Sequence, residues 1–257
     1  MKKIEKIGVQ LYTIRDYMKT EKDVRESFQK LKSLGYDQVQ TAGSQISYEA
    51  FGQIAKEEGI EIVGTHEDFE IMCNDFETSY KNHELLGTKN MGIGIYRADE
   101  FEDYKYFVKN ANMIGEKIAA LGGKFTYHNH HHEFIRQANG QTIMDYLVEN
   151  LNPETTSFVL DTHWVQRGGG DVCQWIKKLS GRIDILHIKD FAVYRDEKGD
   201  TQPMFAEIGN GNLDWEGIMD AAMTTGVKYY IVEQDICPGN PFESLKFSSD
   251  YLHKNFM

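Results

Sequence analysis

Four short segments of the chain each end an apolar run with a side chain that can bind a metal ion. The four side chains are Glu133, Asp161, His187 and Glu233. If the runs are parallel strands of one sheet, the side chains point into one pocket, where three carboxylates and one imidazole suit a hard divalent cation. Without a cation the cluster is costly, because like charges ~4 Å apart repel by roughly 4 kcal/mol at an effective dielectric constant of 20. We therefore expect one divalent ion, Mn²⁺ in preference to Mg²⁺, Co²⁺ or Zn²⁺, and a metal-dependent enzyme.

The first segment, Tyr127-His-Asn-His-His-His-Glu133, offers more than one ligand. Residues alternate sides along a strand, so His128 and His130 could both face the interior. Either histidine could then bind the ion, with Glu133 as a general base. We favour Glu133 as the ligand because it completes a carboxylate-rich set, which leaves His128 and His130 as candidate substrate-binding residues.

The elements that must position these side chains are visible in the spacing of apolar residues. Apolar, β-branched runs alternate with amphipathic stretches whose apolar residues recur three and four apart. We predict eight strands, at residues 7–12, 38–41, 60–65, 90–95, 124–129, 157–161, 183–188 and 229–234. Eight βα units in 257 residues predict an α/β fold, a single-domain (β/α)₈ TIM barrel over residues 1–257. An open doubly wound sheet is the alternative, but the glycine fingerprint of that fold is absent after the first run.

In such a barrel the active site lies at the C-terminal ends of the strands. The four ligands then end the fifth to eighth strands, which are neighbours around the ring. Other candidate substrate-binding side chains end or follow the same strands. His66 could bond a substrate hydroxyl or cap the barrel layer, and His163 could reach a substrate oxygen or orient Asp161. Lys189 could neutralise an enediolate or a phosphate, and Trp164 could wall the pocket or simply pack.

The composition indicates an ordinary globular protein. A formal net charge of −12 and a pI near 5.2 argue against a nucleic-acid partner, because such proteins normally present a basic face. No apolar stretch approaches the ~18 residues that span a bilayer, and the start lacks the apolar core of a signal peptide. Cys73, Cys173 and Cys237 are widely spaced, as expected for reduced thiols. We therefore expect a cytoplasmic protein with no membrane or nucleic-acid partner.

Five segments resemble the xylose isomerase-like TIM-barrel superfamily, the sugar phosphate isomerase/epimerase group that also includes apurinic endonuclease family 2. The segments are residues 127–134, 160–164, 182–190, 209–214 and 230–235. The resemblance implies one divalent metal ion held by a Glu, Asp, His, Glu set, which corresponds here to Glu133, Asp161, His187 and Glu233. It also implies a small-molecule carbohydrate substrate and a homo-oligomer.

Two features of the chain depart from the family pattern. Many members carry the first Glu within the fifth strand, where this chain has His128. The trinuclear zinc endonucleases of the family carry further His ligands after strands four and seven. Here residues 94–96 contain no His, and Lys189 and Asp190 follow His187. DNA cleavage is therefore not expected.

These features predict a metal-dependent sugar or sugar phosphate isomerase or epimerase. The substrate would chelate the ion through a carbonyl and an adjacent hydroxyl oxygen, and the ion would stabilise the enediolate. Glu133 and Glu233, on opposite faces of the substrate, would remove and return the proton, as in the epimerases of the family. Loss of a β-leaving group would instead give a dehydratase or lyase on a keto-sugar or cyclitol. A phosphodiesterase and a non-catalytic sugar-binding barrel are the remaining alternatives.

Overall fold

Parallel strands form a nearly closed ring at the centre of the molecule. The computed structural model describes residues 3–257, so the first two residues of the predicted domain lie outside the described residues. The strands are β1 (Gly8–Gln10), β2 (Gln38–Gln40), β3 (Glu61–Gly64), β4 (Asn90–Ile93), β5 (Lys124–His128), β6 (Thr156–Asp161), β7 (Ile183–Ile188), β8 (Asp190–Arg195), β9 (Thr201–Ala206) and β10 (Tyr229–Val232). All except β8 and β9 belong to the ring, while β8 and β9 form an antiparallel hairpin.

The ring strands pair in the order β3-β2-β1-β10-β7-β6-β5-β4. Backbone hydrogen bonds join its two ends. The Thr65 N–H donates to Asn90 O at 3.2 Å, and the Glu67 N–H donates to Gly92 O at 2.8 Å. The predicted single-domain (β/α)₈ barrel is confirmed, and the alternative of an open sheet is wrong.

Helices surround the ring, and most begin at a polar side chain that caps the first turn. They are α1 (Glu21–Ser33), α2 (Tyr48–Glu57), α3 (Phe69–Asn74), α4 (Phe76–Leu86), α5 (Phe101–Ala120), α6 (Ile143–Asn150), α7 (Thr162–Arg167), α8 (Val172–Lys178), α9 (Trp215–Thr225) and α10 (Pro241–Phe256), with 3₁₀ helices at Leu11–Tyr17 and His132–Phe134. Thr20 and Thr142, for example, form capping boxes with Asp23 and Asp145. Within residues 3–257, no helix combines the length and the apolar character needed to cross a bilayer.

The barrel interior is closed by a small aliphatic layer. Val63, Val159, Ile185 and Ile231 are almost fully buried and pack together as a cluster separate from the larger core between strands and helices. Because side chains alternate along a strand, a residue two positions further along points to the same side. Val159, Ile185 and Ile231 therefore lie one layer beneath residues 161, 187 and 233, so the apolar floor fixes the direction of the polar layer above it.

The observed elements differ from the predicted ones mainly at the first strand, in two helices and in the hairpin. The strand predicted over residues 7–12 ends at Gln10, because the Gln10 side chain accepts a hydrogen bond from the Tyr12 N–H (3.2 Å) and starts a 3₁₀ helix. The apolar pattern does not predict α3 and α4, nor the hairpin β8–β9, whose strands show no regular alternation of polar and apolar residues.

One buried carboxylate holds the hairpin to the segment that follows it. Asp190 accepts hydrogen bonds from the Gly209 and Gly211 N–H groups (2.9 and 3.1 Å) and from Trp215 Nε1 (2.7 Å). Gly211 must be glycine for this contact, since a Cβ there would lie 2.3 Å from Asp190 Oδ1. The glycine-rich segment 209–214 thus has a structural role in securing the hairpin.

Candidate metal centre

Four buried side chains from neighbouring strands meet at the C-terminal mouth of the barrel. They are His128 on β5, Asp161 on β6, His187 on β7 and Glu233 directly after β10. Each offers one ligand atom, and these atoms all lie within 4.8 Å of one another. His128 Nε2 lies 3.3 Å from Asp161 Oδ2, and His187 Nδ1 lies 3.0 Å from Glu233 Oε2. Two imidazoles and two carboxylates thus surround a single point.

Hydrogen bonds behind the two imidazoles leave one nitrogen of each ring facing that point. His128 Nδ1 lies 2.8 Å from the Gly94 carbonyl oxygen, to which it can donate, and His187 Nε2 contacts Gln40 Oε1 in the same way. His187 Nδ1, on the cluster side, makes no hydrogen bond of good geometry with any group among residues 3–257. Metal-binding histidines commonly donate their second N–H to an oxygen in this manner. The cluster can therefore hold a divalent metal ion.

The electrostatics at this point favour a positive charge. Burial alone would lower the pKa of His187, but Glu233 and Asp161 outweigh burial and raise it. The pKa of Asp161 and that of Glu233 lie well below their usual range, since Lys189 and the histidines outweigh the effect of burial. Both carboxylates are therefore ionised and available to a cation.

Lys189 brings a buried ammonium group into the same cluster. Its Nζ lies 2.6 Å from Asp235 Oδ1, 3.2 Å from Glu233 Oε2 and 3.5 Å from Asp161 Oδ2. Burial alone would lower the pKa of Lys189, but the three carboxylates outweigh burial and hold it above the usual range. The ring centroids of Trp164 and Phe205 each lie 5.0 Å from Nζ, which is within the range of a cation–π contact. Lys189 is thus a permanent cation beside the ligands.

Glu133, the ligand expected from the sequence, is not brought into the cluster. Strand β5 ends at His128, and the 3₁₀ helix His132–Phe134 turns the Glu133 carboxylate back beneath the loop. There it is fully buried and accepts hydrogen bonds from the Tyr127 hydroxyl (2.7 Å) and the His130 N–H (2.8 Å). Burial raises the pKa of Glu133 to about 7. The structure thus leaves Glu133 outside the cluster and places His128 beside Asp161, His187 and Glu233 instead.

The other histidines of the same loop have separate surroundings. The His130 ring lies 4.7 Å from the His128 ring and 5.2 Å from Trp164, and burial lowers its pKa to about 2. His131 stacks on Trp164 at 5.0 Å, and His132 Nε2 lies 3.0 Å from the Tyr96 carbonyl oxygen. Of the three, His130 is the neutral imidazole that faces the candidate site.

Two more predicted residues lie close to the cluster, but only one faces open space. His66 stacks on His128 at 5.1 Å, contacts Gln10 Nε2 through Nδ1 (3.2 Å) and lines the cleft. His163 is fully buried, lies 2.8 Å from the Asp190 carbonyl oxygen through Nδ1 and stacks on Phe205 at 4.4 Å. Burial lowers the pKa of His163 to about 4, so its imidazole is neutral near pH 7. His163 therefore joins the hairpin to the barrel instead of lining the cleft.

Asp161 connects the cluster to the first turn of α7, which carries Trp164. Its Oδ1 accepts a hydrogen bond from the Trp164 N–H (2.9 Å) as the N-cap of α7, while its Oδ2 faces His128. The Asn129 side chain accepts a hydrogen bond from the Asp161 N–H at 2.9 Å. These bonds fix the carboxylate at the end of β6, and the cap explains why α7 begins directly after that strand.

A cleft of about 670 Å³ opens above the cluster. Its lining includes Tyr12, His66, Arg97, His130, Lys189, Glu233 and Asp235. Two polar residues of the site, Gln10 and Asp235, are not among the residues predicted from the sequence, although Gln10 ends β1 and Asp235 follows β10. Phe205 carries no such signal, because it lies in the hairpin that the apolar pattern does not predict. A second cavity of about 610 Å³ lies at the opposite end of the barrel, away from the cluster.

Known proteins share both the sequence pattern and the fold. Inosose dehydratase of Geobacillus thermodenitrificans is 25% identical over 166 residues, which cover 60% of this chain and 55% of that protein. The chain thus matches about half the length of this relative. A sugar phosphate isomerase/epimerase from Parabacteroides distasonis superposes with a TM-score of 0.78 and 25% identity, covering 98% of each chain. A xylose isomerase-like TIM barrel protein from Mycobacterium smegmatis in complex with magnesium superposes with a TM-score of 0.70 and 12% identity, covering 97% of this chain and 95% of that one.

A family described as xylose isomerase-like TIM barrel matches residues 28–251, which is most of the chain. The matched residues include the strands that carry all four side chains of the cluster, from β5 to β10. The chain belongs to the xylose isomerase-like TIM barrel family.

Proposed function

We propose that the protein is a metal-dependent enzyme that removes the proton next to the carbonyl of a polyhydroxylated ketone and expels a β-hydroxyl as water. The observation that carries this proposal is the ammonium group of Lys189 beside the Glu233 carboxylate, within one cluster of metal ligands. The substrate class is a keto-sugar or a keto-cyclitol. The reaction breaks one C–H and one C–O bond, and forms one C=C bond and one O–H bond of the released water. The α-proton and the hydroxyl leave together as water, so no oxidant is needed.

A divalent ion held by His128, Asp161, His187 and Glu233 would act as a Lewis acid on the ketone. Two imidazoles in the set make a purely oxygen-seeking ion less suitable, so Mn²⁺ remains our proposed ion ahead of Mg²⁺. Glu233 lines the cleft and is ionised, and it would accept the α-proton. The Lys189 ammonium would stabilise the negative charge that develops on the substrate oxygen.

The remaining residues of the cleft would bind and orient the substrate. His66 and His130 are neutral imidazoles on its wall and can exchange hydrogen bonds with hydroxyl groups. Trp164 and Phe205 cover Lys189 and keep water from the ammonium group. His163 would act from behind, by holding the hairpin residue Phe205 in place.

Elimination is preferred to epimerisation because Glu133, the second expected proton carrier, lies outside the cluster. An epimerase of the expected kind needs a proton carrier on each face of the substrate, and Glu133 was the predicted partner of Glu233. With Glu133 turned away, a base and a cation remain in one region of the site. The similarity to an inosose dehydratase supports the same choice for a cyclitol ketone.

The experiment is a panel of keto-cyclitols and ketoses incubated with the Mn²⁺-loaded protein in D₂O. We expect loss of water and a new ultraviolet absorbance from the unsaturated ketone. Glu233→Gln should abolish both, while the exposed control Glu243→Gln should behave as the wild type. Normal deuterium exchange in Glu233→Gln, or cleavage of abasic DNA by the wild type, would contradict the proposal.

Epimerisation or isomerisation is the second candidate, because the match to the Parabacteroides distasonis sugar phosphate isomerase/epimerase covers nearly the whole of both chains. The same panel separates the two reactions. An epimerase returns the proton and gives a product that keeps every oxygen but has one inverted carbon, whereas a dehydratase gives a product lighter by one water. The homo-oligomer stays a prediction, which light scattering of the purified protein would test.

A further inference from the structure

Glu133 lies fully buried beneath the histidine-rich loop at the end of β5. Its Oε2 accepts a hydrogen bond from the His130 N–H (2.8 Å), and its Oε1 accepts one from the Tyr127 hydroxyl (2.7 Å). The Tyr127 ring is itself buried and packs against Phe107 and Phe158 behind the barrel wall. The carboxylate therefore ties the backbone of the loop to the packed aromatic core.

His130, whose N–H donates to Glu133, faces the cleft. The His130 ring stands between the His128 ring at 4.7 Å and Trp164 at 5.2 Å, and it lines the cleft with Lys189 and Glu233. Its Nδ1 has no hydrogen-bond partner among residues 3–257, so the ring is held by packing and by its backbone. The position of the His130 N–H thus determines where the imidazole stands.

We infer that Glu133 is a positioning residue, which acts by fixing the His130 imidazole on the wall of the cleft. This inference rests on the proposed function, because it gives the His130 ring a part in the reaction. A buried carboxylate is costly unless it is hydrogen-bonded, and both of its oxygens are bonded here. Removing it would leave the His130 N–H buried without an acceptor, so the loop would shift to find one.

A double-mutant cycle between Glu133 and His130 tests the inference kinetically. Glu133→Leu is expected to lower kcat by on the order of 10- to 100-fold, the cost of misplacing a group by about 1 Å. His130→Ala should lower kcat by a similar factor, and the double variant should be no worse than His130→Ala alone. Glu133→Gln should recover most of the loss, because its amide oxygen can still accept the His130 N–H. Losses that multiply in the double variant would overturn the inference.

A second measurement does not depend on turnover. In ¹⁵N-labelled, metal-free protein the His130 ring signals are identified by their loss in His130→Ala. Glu133→Leu is expected to shift these signals and to leave those of His83, which is buried against Thr65 on the far side of β3, unchanged. The exposed control Glu116→Leu should shift neither. Unshifted His130 signals in Glu133→Leu would also overturn the inference.

The two readouts keep this inference apart from the proposed function. If Glu233→Gln leaves proton exchange intact, the proposed function fails, and the ring signals still decide the role of Glu133. If Glu133→Leu does not fold, Tyr127→Phe replaces it, since it removes one of the two hydrogen bonds to the carboxylate and leaves the ring. That variant should shift the His130 signals in the same direction by a smaller amount, and an absence of any shift would overturn the inference.

Discussion

Lys189 Nζ lies 3.2 Å from Glu233 Oε2 inside the barrel, and neither residue is more than 4% exposed. An ammonium group and a candidate metal ligand therefore share one buried volume. The contact joins the two halves of the proposed chemistry, since one group would accept a proton and the other would stabilise the charge left behind. Because both side chains are buried, the charge of each is stabilised by the other instead of by water.

Lys189→Met tests both consequences. Loss of the cation should lower kcat by on the order of 10²- to 10³-fold, as for other preorganised charge-stabilising groups. It should also destabilise the fold by about 3–5 kcal/mol, because the carboxylates stay buried without their partner. Steady-state kinetics and urea denaturation measure the two effects, with the exposed Lys177→Met as control. A variant with unchanged kcat would remove Lys189 from the mechanism.

The choice between His128 and Glu133 as ligand can be decided by metal affinity. His128→Ala should weaken Mn²⁺ binding by more than about 100-fold, beyond the roughly 10- to 100-fold that changes behind a ligand usually cost. Glu133→Gln should change the affinity by less than about threefold, because its carboxylate does not face the ion. Isothermal titration calorimetry on both variants gives the answer. The reverse order of losses would restore the ligand set expected from the sequence.

The buried Glu133 carboxyl predicts a pH dependence of stability. Its pKa is raised to about 7 in the folded protein, so between the unfolded value and pH 7 the folded state binds more protons than the unfolded state. The stabilisation from this group is present below about pH 4.3 and is lost as pH rises through 7, with a total of about 4 kcal/mol. The free energy of unfolding, measured from pH 4.5 to 8, should fall more steeply in the wild type than in Glu133→Gln. Parallel curves would show that another group controls this range.

The contact between Gly211 and Asp190 predicts a glycine-specific loss of stability. Gly211→Ala should destabilise the protein by about 1–3 kcal/mol, since the new methyl group would meet the Asp190 carboxylate at 2.3 Å. Gly239→Ala is the matched control, because a Cβ at that position meets no atom within 4 Å. Thermal unfolding of the two variants makes the comparison. Equal melting temperatures would mean that the segment 209–214 can move away from Asp190 without cost.

The parts of the site that can be predicted from the sequence are those where the backbone is regular. Strand alternation and the rule that barrel sites lie at strand ends are enough to bring Asp161, His187 and Glu233 together, since each follows a long apolar run. The rule fails for Glu133, because β5 ends at His128 and a 3₁₀ turn, which has no apolar period, directs the remaining side chains. Phe205 is beyond the rule for a similar reason, as it reaches the site from a hairpin outside the barrel.

The aliphatic floor formed by Val63, Val159, Ile185 and Ile231 affects how an ion can reach the cluster. It fills the barrel axis directly below the ligands, and within residues 3–257 the cleft opens above them. A substrate in the cleft would lie over an ion held by the cluster, and would cover the ion on that side. Exchange of the ion with solvent should therefore slow when a ligand occupies the cleft.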